Sequence, residues 1–394
     1  MENVIMMKKI YLMLLVAIFT RAFSTLAASS PENEQYDITS EKVTEQVYVL
    51  TVAYSKTAFL NSAIVIGNEG VLLITAQMEP VAPSLEAKIK ELTNKPITHV
   101  FNPASDYFHY HANEYFKKRG AQLIAHKALK YTQASTGILF DDYFSMSFGD
   151  EILTAHHTLA HNNAQTIVYL EKANLMLLGD AFRTNRLVYT GYHGLKGHLD
   201  GFKKAYHIAN DETLIVSGQK DLRLFSQREA LKQASETLSN FARLVGKKHN
   251  AGMSVTDMTE DAEILEAVAI YPFYRDEPEI IKHNIIQLIE LDFRPTYEIE
   301  QRSLRAYEGQ YQSNDGNLLE VKVNNGLLFV MQEGHFNFAL NPLSPEKFEL
   351  KGRTDSSHML FHFSSEGQVT GISSHMPKDS YYEKRIPTLL HKKL

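Results

Sequence analysis

Short apolar runs separated by turn-forming residues dominate the first part of the chain. Residues 46–51 (QVYVLT), 63–66 (AIVI) and 71–74 (VLLI) are rich in β-branched side chains, which favour strands. Asn68-Glu69-Gly70 separates the last two runs. Two β-rich runs around a glycine-containing turn predict a β-hairpin.

The hairpin is followed by alternating helix and strand patterns. Residues 80–93 carry apolar side chains at helical spacing, 97–101 form another apolar run, and 114–119 again fit a helix. This order predicts a layered α/β fold in which helices cover a sheet. The remaining predicted strands of this part are 121–125, 167–170, 175–178 and 214–216.

The pattern becomes helical after residue 221. Leu231, Leu238 and Val245 recur at the spacing of one helix face, and 259–270 and 278–291 are also expected to be helical. These segments predict a helical extension that ends near residue 293.

Alternation with a period of two begins after a linker at 294–303. Leu319, Val321 and Val323 alternate with charged residues, and Asn324-Asn325-Gly326 is a hairpin turn. The segment 304–394 therefore predicts a small antiparallel β domain, either a barrel or a sandwich.

The first residues have the layout of an export signal. Lys8 and Lys9 precede an apolar run at 10–20, and Thr25-Leu26-Ala27 is a suitable cleavage site. Residues 1–27 therefore predict a signal peptide and a periplasmic or secreted protein, with an uncleaved N-terminal anchor as the alternative. No later stretch is apolar and long enough for a membrane span, so no stable span is expected after cleavage.

Composition narrows the chemistry. The 394 residues suggest two domains, or one large domain with an addition. The net charge is −6, with no long run of like charge, which argues against a nucleic-acid partner. The expected partner is a small-molecule substrate or ligand. The chain has no cysteine, which excludes disulfides, thiolate metal ligands and a cysteine nucleophile.

Metal-capable side chains follow several predicted strands. Because ligands at separate strand ends converge at one edge of a sheet, this distribution predicts a hydrolytic metal site. The candidates are Asp106, His109, His111, His156, His157, His161, Asp180 and Gln219.

Four sequence blocks carry a resemblance to a known family. They are AIVIGNEGVLLIT, ITHVFN…HANEYFKKRGAQLIAH, AHNNAQTIVYL…LMLLGDAF and LIVSGQ. Their order and spacing over about residues 45–245 resemble the metallo-β-lactamase superfamily. The resemblance implies an αββα sandwich at 28–293, including the helical extension at about 221–293. The segment LRAYEGQYQSNDGNLLEVKVNNGLLFV resembles the small lipocalin-like β-barrel domain that follows some exported hydrolases, here at 304–394.

The resemblance also implies a site that has lost several ligands. The family loop His-x-His-x-Asp-His corresponds here to Ala104, Asp106, Phe108 and His109. His161 and Asp180 match later ligands, whereas Gln219 replaces a histidine. Thr75 replaces an aspartate that orients a ligand histidine, so that hydrogen bond is expected to be missing.

The expected function is hydrolysis of an ester, lactone, amide or similar bond through a metal-activated water. The site would hold at most one metal, Zn or else Mn or Fe, on Asp106, His109, His161 and Asp180, with Asp106 and His109 as the catalytic residues. A small shift of the alignment would bring in His111, or His193 or His198.

Three other interpretations remain open. In the first, the protein is a binding protein that has lost its metal. In the second, it is a metal-free enzyme in which Asp106 works with His109 or His161 as an acid–base pair. Asp106 also fits a helix N-cap.

Overall fold

The computed structural model describes most of the chain after the predicted signal peptide. Residues 1–27, which carry that prediction, lie outside the described residues. The described residues are 36–55, 58–131, 137–219, 223–277, 279–294, 296–314, 316–324, 326–332, 336–351, 357–376 and 390–394.

The described residues of the first domain contain two sheets. The first sheet has seven strands in sequence order; β1 to β4 are antiparallel, and β4 to β7 are parallel. Its strands are β1 Asp37–Lys42, β2 Val47–Ala53, β3 Phe59–Ile66, β4 Val71–Ile74, β5 Ile97–Asn102, β6 Gln122–His126 and β7 Ile138–Phe140.

The second sheet has five strands in the order β12-β11-β10-β9-β8. All its neighbours are antiparallel except β11 and β12, which run parallel. Its strands are β8 Tyr143–Phe148, β9 Glu151–His157, β10 Thr166–Leu170, β11 Leu175–Leu177 and β12 Leu214–Val216.

Apolar clusters on the two faces of the first sheet show how the layers are stacked. Leu72 and Ile74 of the first sheet pack with Val168 of the second, so one core lies between the sheets. Leu73, on the other face of β4, packs with Leu85 of the first helix. Because both faces of β4 are buried, its sequence is continuously apolar rather than alternating.

The outer face of the second sheet is also covered by helices, as Ile215 of β12 packs in one cluster with helical residues. The layers are therefore helix, sheet, sheet and helix. The helices are α1 Ala82–Leu92, α2 Tyr107–Tyr110, α3 Asn113–Lys117, α4 Gly194–Ile208, α5 Arg228–Asn250, α6 Val255–Thr259, α7 Ala262–Ala267, α8 Pro272–Asp276, α9 Glu279–Leu288 and α10 Gln301–Leu304. Short 3₁₀ helices lie at Glu79–Val81, Lys127–Tyr131, Gly179–Ala181 and Arg305–Tyr307, and a π-helical turn lies at Ile289–Phe293.

The last segment is a closed antiparallel barrel. Its eight strands are neighbours in sequence order, and the first pairs with the last. The αββα sandwich followed by a small β-barrel that the sequence predicts is thus confirmed. The strands are β13 Gly309–Ser313, β14 Leu318–Asn324, β15 Leu327–Gln332, β16 Phe336–Pro342, β17 Lys347–Leu350, β18 His358–Phe363, β19 Val369–His375 and β20 Leu390–Lys393.

The helical extension is more broken than expected. The helix predicted at 259–270 is divided, because the Asp261 side chain accepts a hydrogen bond from the Ile264 amide and caps a new helix there. Pro272 then starts another helix. Across the part of the chain that the structure describes, no helix has the length and apolarity needed to cross a membrane.

Candidate metal centre

Three side chains meet where the two sheets present their strand ends. Asp106 follows β5, and His109 lies in the short helix α2 directly after it. Asp180 lies in the 3₁₀ turn Gly179–Ala181, which follows β11 of the other sheet. Strands of both layers therefore aim polar groups at one edge of the sandwich, as the positions of these residues in the sequence predict.

The donor atoms of Asp106, His109 and Asp180 all lie within 4.8 Å of one another. His109 and Asp180 are buried, and Asp106 is partly exposed. Two carboxylates and one imidazole form a mixed oxygen and nitrogen set that suits a divalent cation. The side chains present therefore fit one metal ion.

His109 is held at both ring nitrogens. Its Nε2 lies 3.1 Å from Asp180 Oδ2, and its Nδ1 lies 3.3 Å from Thr75 Oγ1. The expectation that Thr75 leaves this histidine without an orienting partner is therefore wrong, because the Thr75 hydroxyl lies within hydrogen-bond distance of the ring. A partner at Nδ1 fixes the ring so that Nε2 faces the centre.

Asp180 is kept ionised. Burial by itself would raise the pKa of its carboxyl, but the hydrogen bond from His109 and the charges of His109, His161 and Arg183 outweigh burial and hold the pKa well below its usual range. Its other oxygen accepts from Gln219 Nε2 at 3.3 Å. Gln219 is therefore a partner of Asp180, in keeping with a structural role.

His161 lies beside the three-residue group but does not belong to it. Its Nε2 is 3.2 Å from Asp106 Oδ2, and its Nδ1 donates to the Tyr189 carbonyl at 3.1 Å. Burial would lower the pKa of His161, but the charge and hydrogen bond of Asp106, with the nearby Asp180, raise it to about 9. At neutral pH this ring is an imidazolium paired with Asp106.

Asp106 stands at the N-cap position of α2, yet its side chain makes no capping hydrogen bond. Instead, Asp106 Oδ2 accepts from Asn162 Nδ2 at 2.6 Å and faces His161. The carboxylate is therefore directed at the centre rather than at the helix that it precedes.

The other candidate histidines lie outside the centre. His111 accepts from the Glu79 amide at 3.2 Å, and His157 bonds the Asn163 carbonyl. His198 donates to the Ala181 carbonyl at 2.8 Å, so it stabilises the 3₁₀ turn that carries Asp180.

Two further candidates also belong to other contacts. His156 lies against Tyr143 on the neighbouring strand. His193 lies against Phe329 of the barrel.

The sequence did not single out three partners of the centre. Asn162 holds Asp106, and Arg183 donates to Gln219 Oε1 at 2.7 Å. The Tyr189 backbone carbonyl orients His161. Asn162 directly follows His161, and Arg183 lies three residues after Asp180; this proximity is the sequence signal that points to both residues. The contact of the Tyr189 carbonyl is made by the backbone, so the residue type gives no signal for it.

The two-sheet sandwich therefore carries a candidate metal site of two carboxylates and one imidazole at one edge. No protein-family model matches the chain, and no curated protein matches it. Among solved structures, the chain is similar to a metallo-β-lactamase from Pontibacter korlensis, with 17% identity and a TM-score of 0.45 over 52% of this chain and 100% of that one. It is also similar to the metallo-β-lactamase IND-7, with 16% identity and a TM-score of 0.44 over 50% of this chain and 98% of that one.

Proposed function

We propose that the protein is an exported hydrolase that acts on an ester, lactone, amide or similar bond in a small molecule. The observation that carries this proposal is the convergence of Asp106, His109 and Asp180, whose donor atoms lie within 4.8 Å of one another. These three residues would hold one divalent cation, Zn or else Mn or Fe. When bound, the cation would supply Lewis acidity and make a water molecule a better nucleophile.

The surrounding residues would prepare these three for binding and catalysis. Thr75 would keep the His109 ring turned so that Nε2 faces the centre, and Asn162 would keep Asp106 in place. The proton on His161 Nε2 lies next to Asp106 Oδ2 and would pass to the leaving oxygen or nitrogen of the substrate. The attacking water loses a proton in the same reaction, which would restore His161.

A second candidate is a binding protein that lacks catalysis. One observation favours it: the side chains of the centre already satisfy one another, with His109 on Asp180 and His161 on Asp106. A network whose side chains already pair with one another in this way needs no further partner to be stable.

Metal analysis separates the two candidates. The protein is purified without chelators, and bound metal is measured by elemental analysis for the wild type, His109→Ala, His161→Ala and His111→Ala. We expect stoichiometric metal in the wild type, its loss in His109→Ala, and its retention in His111→Ala, which changes a histidine two positions away that faces Glu79. Absence of metal, with no uptake of added Zn²⁺ or Mn²⁺, would contradict the metal-dependent hydrolase.

Activity is then tested on esters, lactones, amides and phosphodiesters. Turnover by the metal-loaded wild type that His109→Ala abolishes supports the hydrolase. Absence of bound metal together with no turnover on any member of the panel favours the binding protein. Turnover that survives removal of the metal points instead to Asp106 and His161 as an acid–base pair.

Export is part of the proposal and rests on the first residues alone. Lys8 and Lys9, the apolar run at 10–20 and the small residues around Ala27 support it. The N-terminal sequence of the protein recovered from a bacterial periplasm or medium should begin after Ala27. Recovery in the membrane fraction with residues 1–27 intact would identify an anchor instead.

A further inference from the structure

One outer face of the barrel is apolar and buried. In β15, Leu328 and Val330 belong to the cluster that fills the barrel interior. Phe329 and Met331 alternate with them and therefore point outward, yet they are only 1% and 8% exposed. Outward-facing apolar side chains of a barrel stay buried only where another part of the molecule covers them.

The cover is a loop of the sandwich domain, residues 189–193. Tyr192 packs with Phe329, Met331 and Ala339 in one cluster. The Tyr192 ring meets the Phe329 ring edge-on, with 6.1 Å between centroids, and the His193 ring lies 6.2 Å from it. The contact is thus aromatic on both sides, and such pairs have a preferred geometry.

The other end of loop 189–193 lies against the candidate metal centre. The Tyr189 carbonyl accepts the hydrogen bond from His161 Nδ1 at 3.1 Å. The Tyr189 ring also meets the His161 ring edge-on, at 5.6 Å. A side chain at Gly191 would place its Cβ 1.9 Å from the His161 carbonyl oxygen, so the two backbones touch directly.

The loop is short and tied at its far end, so a shift at one end reaches the other. The Gly194 amide donates to the Gly191 carbonyl at 3.0 Å. The Leu195 amide donates to Asp292 Oδ1 at 2.8 Å, which fixes the start of α4. Between this tie and His161, Phe329 of the barrel packs on both Tyr192 and His193.

We propose that Phe329 is a positioning residue for the centre. By packing on Tyr192 and His193, it holds loop 189–193 in the shape that places the Tyr189 carbonyl on His161 Nδ1. The barrel thereby sets the orientation of an imidazole in the other domain without contacting substrate. This role goes beyond the proposed hydrolysis and concerns the resting geometry of the ring, whether or not a metal binds.

The test compares two buried phenylalanines of the same barrel. Phe329 is 1% exposed and faces the loop, whereas Phe348 is 0% exposed and packs on Tyr307 and Phe361 inside the barrel. The variants Phe329→Ala, Phe329→Leu, Phe348→Ala and Phe348→Leu are made in the full-length protein. All are measured after EDTA treatment, so failure of the metal proposal does not affect the result.

The first readout is the His161 ring in ¹H–¹⁵N spectra, assigned with His161→Gln. In the wild type we expect a protected Hδ1 signal, because that proton is hydrogen-bonded to Tyr189. Phe329→Ala should shift this signal or broaden it through solvent exchange, and Phe329→Leu should do so less. Neither Phe348 variant should move it, although both lower the stability of the barrel.

The second readout is amide hydrogen exchange over residues 189–194. Loss of an aromatic contact should speed exchange there by about two- to tenfold in Phe329→Ala. The leucine variants keep the comparison usable if the alanine variants do not fold. An unchanged His161 signal and unchanged loop exchange in a folded Phe329 variant would overturn the proposal, and so would equal changes in the Phe348 variants.

Discussion

Two carboxylate–imidazole pairs share the centre; the surroundings favour the carboxylate anion in one pair and the protonated imidazole in the other. Asp180 is buried with His109, and its pKa is held low. Asp106 is partly exposed and pairs with His161, whose pKa is raised to about 9. One pair thus offers an anionic ligand and the other offers a proton donor, which is the division of roles that the proposed hydrolysis would need.

Thr75 is expected to control the metal affinity of His109. Thr75→Val keeps the shape of the side chain but removes the hydroxyl that lies 3.3 Å from His109 Nδ1. Loss of such an orienting hydrogen bond should weaken metal binding by about 10- to 100-fold. Isothermal titration with Zn²⁺ and Mn²⁺ measures the effect.

The matched control is Thr75→Ser, which keeps the hydroxyl. Its metal affinity should stay close to that of the wild type. Equal affinities for Thr75→Val and Thr75→Ser would show that the hydroxyl does not act on His109.

His161 should make the stability of the metal-free protein depend on pH. Its pKa is about 9 in the folded protein and about 6.5 in an unfolded chain. Because the folded value is higher, the stabilisation is fully present below pH 6.5 and is lost as the pH rises through 9. The difference in the free energy of unfolding between wild type and His161→Gln should shrink by up to about 3 kcal/mol across this range.

Urea denaturation in EDTA at several pH values between 6 and 10 measures this difference. Asp106→Asn serves as a second variant, because it removes the carboxylate that raises the pKa of His161. A difference that stays constant with pH would show that His161 is not protonated in the folded protein.

The sequence predicted the residues of the centre better than their partners. Asp106, His109 and Asp180 follow predicted strands, and strand ends of a layered sheet converge. The contact of Thr75 with His109 spans 34 positions and depends on ring orientation, which one sequence does not encode locally. Likewise, only the interatomic distances in the structure show that His161 lies beside the group of Asp106, His109 and Asp180 rather than within it.

At the scale of elements, the segment between β9 and β10 is held by a helix that the sequence did not predict. Helix α4, Gly194–Ile208, contains several glycines, which have low helix propensity. Close packing explains the glycine at position 201, because a Cβ on Gly201 would lie 2.7 Å from Thr158 Oγ1. The glycine lets the helix approach the segment that carries His161, so packing outweighs propensity.

Backbone strain is concentrated at the same place. His161 has φ of 61°, and Thr75 has φ of 73°. Non-glycine residues in this left-handed region cost about 1–3 kcal/mol each and persist only where the surroundings enforce them. The elements around the centre therefore hold Thr75 and His161 in strained conformations, at a cost in the free energy of folding.

Gly191→Ala is expected to disturb the centre through its backbone. Gly191 has φ of 76°, and a Cβ there would lie 1.9 Å from the His161 carbonyl oxygen. The substitution should lower the free energy of unfolding by more than the ~1 kcal/mol that a left-handed alanine costs alone. It should also weaken metal binding, as measured by titration calorimetry.

Gly252→Ala is the matched control. Gly252 has φ of 80°, and nothing lies within 4 Å of its Cβ position. It carries the same backbone cost without the collision, so its metal affinity should be unchanged. Equal effects of the two variants on metal affinity would rule out the contact with His161 as the cause.

At the scale of the whole molecule, the order of the layers was more predictable than their edges. The apolar runs of β4 and β5 and the alternation of β14 mark a buried sheet and a half-exposed barrel. Strand β8, Tyr143–Phe148, was not predicted, because it alternates half-buried aromatic or methionine residues with exposed ones and lies at the sheet edge. Edge strands have a weaker apolar pattern, since one side lacks a neighbour.

An ion pair links the barrel to Arg294, the first residue after the helical extension, and should contribute to stability. Arg294 lies 3.0 Å from Glu349, a largely buried residue of β17 that also accepts from Asn341. Arg294→Met should lower the free energy of unfolding by about 1–3 kcal/mol, because a buried carboxylate loses a charged hydrogen-bond partner. Urea denaturation at neutral pH measures the change.

Arg302→Met is the comparison, since Arg302 pairs with Glu300 where both side chains are well exposed. Exposed pairs contribute about 0–1 kcal/mol, so this variant should unfold close to the wild type. A similar small effect for both variants would mean that Glu349 finds another partner or enough solvent.

The closure of the barrel also has a consequence for biosynthesis. β20, Leu390–Lys393, is the strand that joins β19 to β13 and completes the ring of hydrogen bonds. While the chain is being made, β13 and β19 therefore present two unpaired edges, and such edges invite pairing with other chains. The sandwich is synthesised first, and it can fold and cover the outer face of β15 while the ring is still open. Until β20 has been made, these two open edges thus expose the protein to aggregation.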